Sequence, residues 1–370
     1  MKSKFLKLIL IATVIFNYSC NESMSEKEIF ISDLMSKMTL EEKVGQMNQY
    51  NGFWDITGPT PKDGQAAKKY ADLKSGRVGA MLNVKGVKEV RAIQKIAVEQ
   101  TRLGIPLLFG FDVIHGYKTI SPIPLAEAES WNLQAIKNSA SMAAEEASSV
   151  GINWTFAPMV DVARDARWGR VMEGAGEDPY LGSQIAIARV QGFQGENFKS
   201  NKSIIACAKH FAGYAFAESG RDYNTVDIGE STLQNIILPP FKAASDAGVR
   251  TFMNSFNDIN GIPATGNKYL QREVLKEEWN FDGFVVSDWD SISEMIAHGY
   301  TKNESDAAEI ALNAGSDMDM ESSAYVAHLA DLVKEGKVNQ NLRLGFLNMQ
   351  TEEDRTNGIA ANNNTVLSLQ

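Results

Sequence analysis

One apolar run of the chain ends abruptly in a carboxylate. It covers residues 283–289, Gly-Phe-Val-Val-Ser-Asp-Trp. Such a run is typical of a buried strand in a parallel sheet, and a charge at its carboxyl end lies where parallel α/β barrels carry their chemistry. Asp288 is therefore the leading candidate for a catalytic residue. A strand-terminal Asp is also common as a helix N-cap, and this alternative stays open.

Four further apolar runs end in polar side chains at comparable spacing. They lie at residues 105–111, 152–159, 203–208 and 249–253, with helical stretches between them. Alternating strands and helices predict a parallel α/β fold, and five polar endings together predict a barrel rim lined with charged and aromatic side chains. This rim includes Asp112, His115, Asp161, Arg170, Lys209 and His210.

Five short motifs carry a family resemblance. They are Arg-Trp-Gly-Arg at 167–170, Gly-Glu-Asp-Pro-Tyr at 176–180, Lys-His-Phe at 209–211, Asn-Asp-Ile-Asn-Gly at 257–261 and Ser-Asp-Trp at 287–289. In order and spacing, the chain resembles the barrel domain of family three glycoside hydrolases, the β-glucosidase and β-xylosidase group. The resemblance implies one (β/α)8 TIM-type barrel over residues 21–338, followed by an irregular tail over 339–370.

Length, charge and motif content agree with this class. A chain of 370 residues suits a single barrel, since such barrels take about 250 to more than 400 residues. A formal net charge of −10 argues against a nucleic-acid partner. The four histidines have no metal-ligand spacing, so no metal site is predicted. Without a dinucleotide fingerprint or a Walker-type loop, no cofactor is predicted either.

The resemblance implies a retaining glycosidase with a covalent glycosyl-enzyme on Asp288. Glycosidic cleavage passes through an oxocarbenium-like state, which one carboxylate captures while a second acid protonates the leaving oxygen. Ser287 and Trp289 are expected to fix the rotamer of Asp288, and Trp289 also to wall the pocket. Ordinary core packing is the alternative for Trp289.

The resemblance further implies a clamp for the sugar ring. Asp112 would accept from hydroxyl groups at the far end of the ring, while Arg170, Lys209 and His210 would donate to the others. The two cations are also expected to keep Asp288 ionised. The open alternative is that these charges only pair with neighbouring carboxylates.

Two apolar side chains, Met253 and Phe256, are expected to shape the sugar pocket, with core packing as the alternative. Loop residues such as Arg167 and Trp168 are expected to pin the segment that presents Arg170. The run Glu-Asp-Pro at 177–179 is expected to end this segment at a helix start.

The proton donor is not assigned by the sequence. In the hexosaminidase branch, an Asp-His pair on the loop after Lys-His does this work, but residues 213–227 contain no His. In the two-domain glucosidase branch the donor is a Glu from a following domain, which this chain is expected to lack. Glu218 is the nearest local carboxylate that could substitute. The polar, Asn-rich tail is expected to reflect truncation or a shifted reading frame, with a short natural tail as the alternative.

The first 20 residues are predicted to be a signal segment. Three lysines precede the apolar stretch 8–16, which is too short to span a bilayer but suits a secretory signal. Cys20 follows a small residue, which predicts lipidation as in a bacterial lipoprotein, with a simple signal peptide as the alternative. The protein is thus expected in the periplasm or anchored to the outer membrane through Cys20. Cys207 is expected to be an inert core thiol.

The sequence therefore predicts hydrolysis of terminal non-reducing β-D-glucosyl residues in carbohydrate catabolism, with a β-linked oligosaccharide or glycoside as substrate. A β-xyloside is the alternative substrate. A catalytically deficient sugar-binding barrel, or a fragment without its acid/base, is the alternative function.

Overall fold

The computed structural model describes residues 26–52, 58–195 and 200–339. The predicted signal segment with Cys20, and residues 340–370 of the predicted tail, lie outside the described residues. Among the helices in these ranges, none combines the length and apolar character that a membrane crossing requires. Cys207 is buried as a free thiol.

The described part of the chain contains two parallel sheets and one small hairpin. A five-stranded sheet has the order β10-β1-β2-β3-β4, and a three-stranded sheet has the order β5-β6-β9. Strands β7 and β8 form the antiparallel hairpin. The bounds are β1 Asn48–Asn51, β2 Ala80–Leu82, β3 Leu108–Phe111, β4 Trp154–Thr155, β5 Cys207–Phe211, β6 Thr251–Asn254, β7 Asp258–Ile259, β8 Ile262–Pro263, β9 Phe284–Val286 and β10 Asp319–Met320.

Backbone hydrogen bonds join the two parallel sheets at both of their edges. The Thr155 N–H donates to the Ile205 carbonyl at 2.8 Å, which links β4 to the segment entering β5. The Ser287 N–H donates to the Met318 carbonyl at 2.8 Å, which links the end of β9 to the segment entering β10. The parallel α/β architecture predicted from the sequence is confirmed.

Helices alternate with these strands along the chain. Two segments, Leu233–Ile237 and Tyr269–Glu278, have π-type hydrogen bonding. The α-helices are α1 Glu26–Lys37, α2 Leu40–Gln46, α3 Gly64–Lys74, α4 Val87–Gln100, α5 Pro124–Ala128, α6 Leu133–Ser148, α7 Pro179–Gln194, α8 Glu230–Thr232, α9 Leu238–Asp246, α10 Ser291–Ala297, α11 Glu304–Ala314 and α12 Ala324–Lys334.

Two of these helices begin at signals visible in the sequence. Before α2, the Thr39 hydroxyl accepts from the Glu42 N–H while the Glu42 carboxylate accepts from the Thr39 N–H, which forms a capping box. Before α7, Asp178 Oδ1 accepts from the Leu181 N–H at 2.7 Å. Pro179 then occupies the first turn, where its missing N–H costs nothing. The helix start expected at residues 177–179 is confirmed.

Strand β1 was not expected from the sequence, because Asn-Gln-Tyr-Asn is not an apolar run. All four of its residues are buried. Tyr50 packs with Leu73 and Phe109 in an apolar cluster. The amide of Gln49 lies on the other side of the strand, beside Gly110. A strand of mostly polar residues is thus enclosed on both faces.

Candidate active site

Asp288 lies two residues beyond the end of β9 and is 8% exposed. One carboxylate oxygen, Oδ1, accepts from the Trp289 N–H at 2.7 Å. The other, Oδ2, lies 3.6 Å from His210 Nε2. The Asp288 N–H donates to Asn254 Oδ1 at 3.1 Å. The carboxylate is therefore held at Oδ1, whereas Oδ2 is buried without a hydrogen-bond partner.

One expectation about this segment is corrected, and one open alternative is excluded. The Ser287 hydroxyl does not hold Asp288 but accepts from the Met320 N–H at 2.9 Å, so the Trp289 N–H fixes the carboxylate. Asp288 does not occupy the N-cap position, because Asp290 is the residue that precedes helix α10.

His210 is fully buried and lies between two carboxylates. Its backbone N–H and its Nδ1 lie 3.0 and 2.9 Å from Asp161 Oδ2. Burial lowers the pKa of His210 well below its ordinary value, and Arg170 and Lys209 lower it further. The ring is therefore neutral, and the Asp161 contact assigns its proton to Nδ1. Nε2 then faces Asp288 as an acceptor, so the expectation that His210 donates to sugar hydroxyl groups is corrected.

Lys209, in β5, lies beneath the exposed carboxylate of Asp112, which directly follows β3. Its Nζ is 3.0 Å from Asp112 Oδ1, and the side chains are 5% and 57% exposed, respectively. Burial alone would lower the pKa of Lys209, but Asp112 raises it, and the net shift is upward. Lys209 is therefore a buried cation.

Arg170 is held by a carboxylate that the sequence analysis missed. Its Nε and Nη2 donate to the two oxygens of Glu173 at 2.5 and 2.8 Å, which is a bidentate pair. Its guanidinium also lies 5.6 Å from the centre of the Tyr214 ring. The spacing of three residues between Arg170 and Glu173 was a signal that could have revealed this pair.

The segment that presents Arg170 is fastened as expected. Arg167 pairs with Asp165 at 2.6 Å. The buried Trp168 ring donates from Nε1 to Asp222 Oδ1 at 3.0 Å, which ties it to the loop after β5.

Aromatic rings lie beside this group of polar residues. Phe256 is buried and lies 4.2 Å from the Tyr223 ring and 5.7 Å from the Tyr214 ring, centre to centre. Tyr223 is 45% exposed, and neither tyrosine was expected from the sequence. Trp289 is partly exposed. Met253 instead packs inside the core with Phe284 and Val286.

Two further carboxylates bear on the question of a proton donor. Glu218 begins a short 3-10 turn, and its side chain is exposed. Glu294, on α10, has a buried Oε2 atom without a hydrogen-bond partner. Burial, together with Asp290 and Asp288, raises the pKa of Glu294 to about 7. Glu294 was not expected from the sequence.

The described ranges contain no group of three or more His, Cys, Asp and Glu side chains arranged to hold a metal ion.

Comparison with known proteins matches this chain to one family and to several relatives. The model of the glycosyl hydrolase family 3 N terminal domain matches residues 39–343. A periplasmic beta-glucosidase of Salmonella typhimurium is 42% identical over 313 residues, which are 84% of this chain and 40% of that protein. A beta-xylosidase of Formosa agariphila is 34% identical over 332 residues, which are 86% of this chain and 41% of that protein.

The fold is similar to that of solved enzymes. The crystal structure of a beta-glucosidase from Listeria innocua in complex with isofagomine has a TM-score of 0.84 and 38% sequence identity. The match covers 94% of this chain and 48% of that one. The chain thus spans less than half the length of these relatives.

Proposed function

Because the chain belongs to glycosyl hydrolase family 3, we propose that it hydrolyses terminal non-reducing β-D-glucosyl residues through a covalent intermediate on Asp288. The observation that carries this proposal is the buried carboxylate after β9, held by the Trp289 N–H with its Oδ2 left without a hydrogen bond. The relatives include beta-glucosidases and a beta-xylosidase, so a β-xyloside remains the alternative substrate.

The proposed fold is a closed (β/α)8 barrel within residues 21–338. It is supported by eight parallel strands and by the hydrogen bonds that join the two sheets at both edges. In such a barrel, the carboxyl ends of β3, β5 and β9 share one rim, which would bring Asp112, Lys209 and Asp288 around a single pocket.

The proposed sugar subsite uses the charges around Asp288. The Asp112 carboxylate, exposed above the Lys209 ammonium, can accept from ring hydroxyls. Arg170 and Lys209 can donate, and the neutral ring of His210 can accept at Nε2. Phe256 and Trp289 would contact ring carbons. For Met253, packing in the core favours the structural alternative.

Turnover of an activated aryl β-glucoside by the purified chain is the direct test of the proposed function. This substrate needs little acid assistance, so it reports the nucleophile even where protonation is poor. Turnover of the aryl glucoside would support the proposed hydrolase function. Binding of glucose without any turnover would instead favour the alternative, a sugar-binding barrel.

The rate of glycosyl-enzyme formation should rise with pH. Burial raises the pKa of Asp288 to about 6, although Lys209, the Trp289 N–H and Arg170 each lower it. Lys209 and Arg170 thus lower the pKa of Asp288, as expected, but by less than burial raises it. Only the ionised carboxylate attacks, so the labelling rate with a 2-fluoro-glucoside should increase about tenfold between pH 5 and 7. A rate independent of pH across this interval would contradict the assignment.

Alanine substitution of Asp112 or Lys209 should weaken glucose binding. Hydrogen bonds to charged groups contribute about 1.5 to 3 kcal/mol, so each change should raise the dissociation constant tenfold or more in calorimetry. Lys202→Ala is a matched control, because Lys202 forms an exposed pair with Glu145. Unchanged affinity in both variants would show that neither residue belongs to the sugar subsite.

The proposed location is the periplasm, with anchoring to the outer membrane through a lipidated Cys20. The N-terminal sequence and the Salmonella relative, named as a periplasmic beta-glucosidase, support export. Mass spectrometry of the mature protein from the producing cell tests it. A mature chain that begins elsewhere than Cys20, without lipid, would favour a simple signal peptide.

A further inference from the structure

A buried polar network lies directly behind Asp288 and is centred on Asn254, at the end of β6. Asn254 Oδ1 accepts from the Asp288 N–H at 3.1 Å and from the Thr265 hydroxyl at 3.2 Å. Asn254 Nδ2 donates to the Ser316 hydroxyl at 2.9 Å. Each of these side chains except that of Asp288 is at most 1% exposed. The network therefore links four separate segments of the chain through one side-chain amide.

Asn254 replaces a backbone partner that the sheet no longer supplies. The ladder between β6 and β9 ends with the pair Met253 and Val286. Two residues further, the buried Asp288 N–H needs an acceptor, since an unpaired buried donor is costly. The side chain of Asn254 provides that acceptor. On the side that faces β6, the backbone at Asp288 is therefore positioned by a side chain, whereas on the β10 side the Ser287 and Asp290 N–H groups donate to the Met318 and Met320 carbonyls.

The orientation of the Asn254 amide is itself fixed by Ser316. The Ser316 hydroxyl lies 3.0 Å from both the Thr265 carbonyl and Gln271 Oε1, to either of which it can donate. Its oxygen therefore remains to accept from Asn254 Nδ2. A flipped amide would turn Nδ2 toward the Asp288 N–H. It would lose the hydrogen bond from Asp288 to Oδ1 and the hydrogen bond from Nδ2 to Ser316. Ser316 thus directs Oδ1 toward Asp288.

We propose that Asn254 is a positioning residue that aims the Asp288 carboxylate at the anomeric carbon, with Ser316 setting the orientation of its amide. The inference rests on the proposed function, in which a bond forms between Asp288 and the anomeric carbon while the leaving group departs with its electron pair. Without the Asn254 acceptor, the Asp288 backbone loses its hydrogen bond on the β6 side, and the carboxylate can shift away from its position. A misplacement of about 1 Å can cost on the order of a hundredfold in rate.

Asn254→Leu tests the proposal with a dinitrophenyl 2-deoxy-2-fluoro-β-glucoside as probe and intact-mass detection of the labelled protein. We expect the maximal labelling rate to fall about ten- to a hundredfold, while the concentration for half-maximal labelling stays near that of the parent. Binding of the sugar depends on Asp112 and Lys209, which this substitution does not touch. A maximal rate equal to that of the parent would overturn the proposal.

Thr251→Val is the matched control. Thr251 lies on the same strand, is fully buried, and bonds the Ala206 carbonyl and Trp154 Nε1 at 2.8 and 3.0 Å. It should lower the unfolding temperature but leave the labelling rate unchanged. An equal loss of labelling in Thr251→Val would show that Asn254 acts only through stability, and would overturn the proposal.

Ser316→Ala covers the case in which Asn254→Leu does not fold. It keeps Asn254 but frees the amide to rotate, so we expect a smaller decrease in the maximal labelling rate. An unchanged rate in Ser316→Ala would overturn the role of that residue and of the fixed amide.

Absence of labelling in the parent chain would contradict the proposed function, and the inference is then decided by binding alone. Isofagomine, a cationic sugar analogue, would pair with the Asp288 carboxylate. Asn254→Leu should weaken its binding in calorimetry at least tenfold relative to Thr251→Val. Equal affinities in the two variants would overturn the inference.

Discussion

Replacement of Asp288 by Asn is expected to abolish glycosyl-enzyme formation while leaving the fold intact. The amide preserves the shape of the side chain and can still accept from the Trp289 N–H, but it has no nucleophilic charge. Loss of a catalytic nucleophile costs on the order of 10⁴-fold or more in rate. Intact-mass measurement after incubation with the fluorinated glucoside should therefore show no adduct. The unfolding temperature should not fall, because the substitution removes a buried charge.

Asp290→Asn is the matched control for this experiment. The same chemical change is made two residues further along, at a backbone φ of 58° that Asn adopts readily. This variant should be labelled at close to the parent rate. Labelling of Asp288→Asn at the full rate would show that another residue is the nucleophile.

The turnover rate of the chain is expected to depend strongly on the leaving group of the substrate. The Asp288 carboxylate accepts from the Trp289 N–H and faces the neutral His210 ring, and neither of these groups is a carboxylic acid. General acid assistance is worth roughly a hundredfold to ten-thousandfold. We therefore expect the purified 370-residue chain to favour an activated aryl glucoside over cellobiose by at least about a hundredfold. Turnover of both substrates is measured under the same conditions.

Two carboxylates of this chain are tested as the proton donor in the same assays. Glu218→Gln and Glu294→Gln should leave turnover of the activated aryl glucoside unchanged. A selective loss of cellobiose hydrolysis in one variant would identify that residue as the acid. Azide should speed turnover of the activated substrate where deglycosylation limits it, since this anion attacks without base assistance. Efficient cellobiose hydrolysis by the parent chain, with a bell-shaped pH profile, would contradict the prediction.

The strands that could be predicted from the sequence are those whose side chains are apolar on both faces of the sheet. Phe284 to Val286 in β9 is such a run, and it forms a strand as expected. Strand β1 could not be predicted, because Gln49 and Asn51 are buried without an apolar pattern. Their enclosure depends on residues far along the chain, such as Glu321, which accepts from the Asn51 N–H. A local window of sequence does not contain this information.

In the candidate site, too, some residues could be predicted from local sequence and others depend on distant parts of the chain. The motifs pointed to Asp288, Lys209 and His210, because several polar endings of apolar runs occur together in the order and spacing of one family. The supporting partners were missed where they are ordinary polar residues brought together by the fold. Asn254 and Ser316 lie 62 positions apart, and nothing in either neighbourhood indicates the other. Glu173 was closer to detection, since it lies one helical turn from Arg170.

The pairing of β1 with β10 also bears on how the protein is made. Asn48 pairs with Asp319 in register, and β10 is preceded by Met318, which bridges to Val286 at the end of β9. During synthesis, β1 and β9 therefore each present an open edge until β10 has left the ribosome and paired with them. Unpaired edges are templates for aggregation, and contacts between distant residues form slowly. A two-residue strand thus shields both edges of the nascent sheet, and a chain stalled before it would leave both edges exposed.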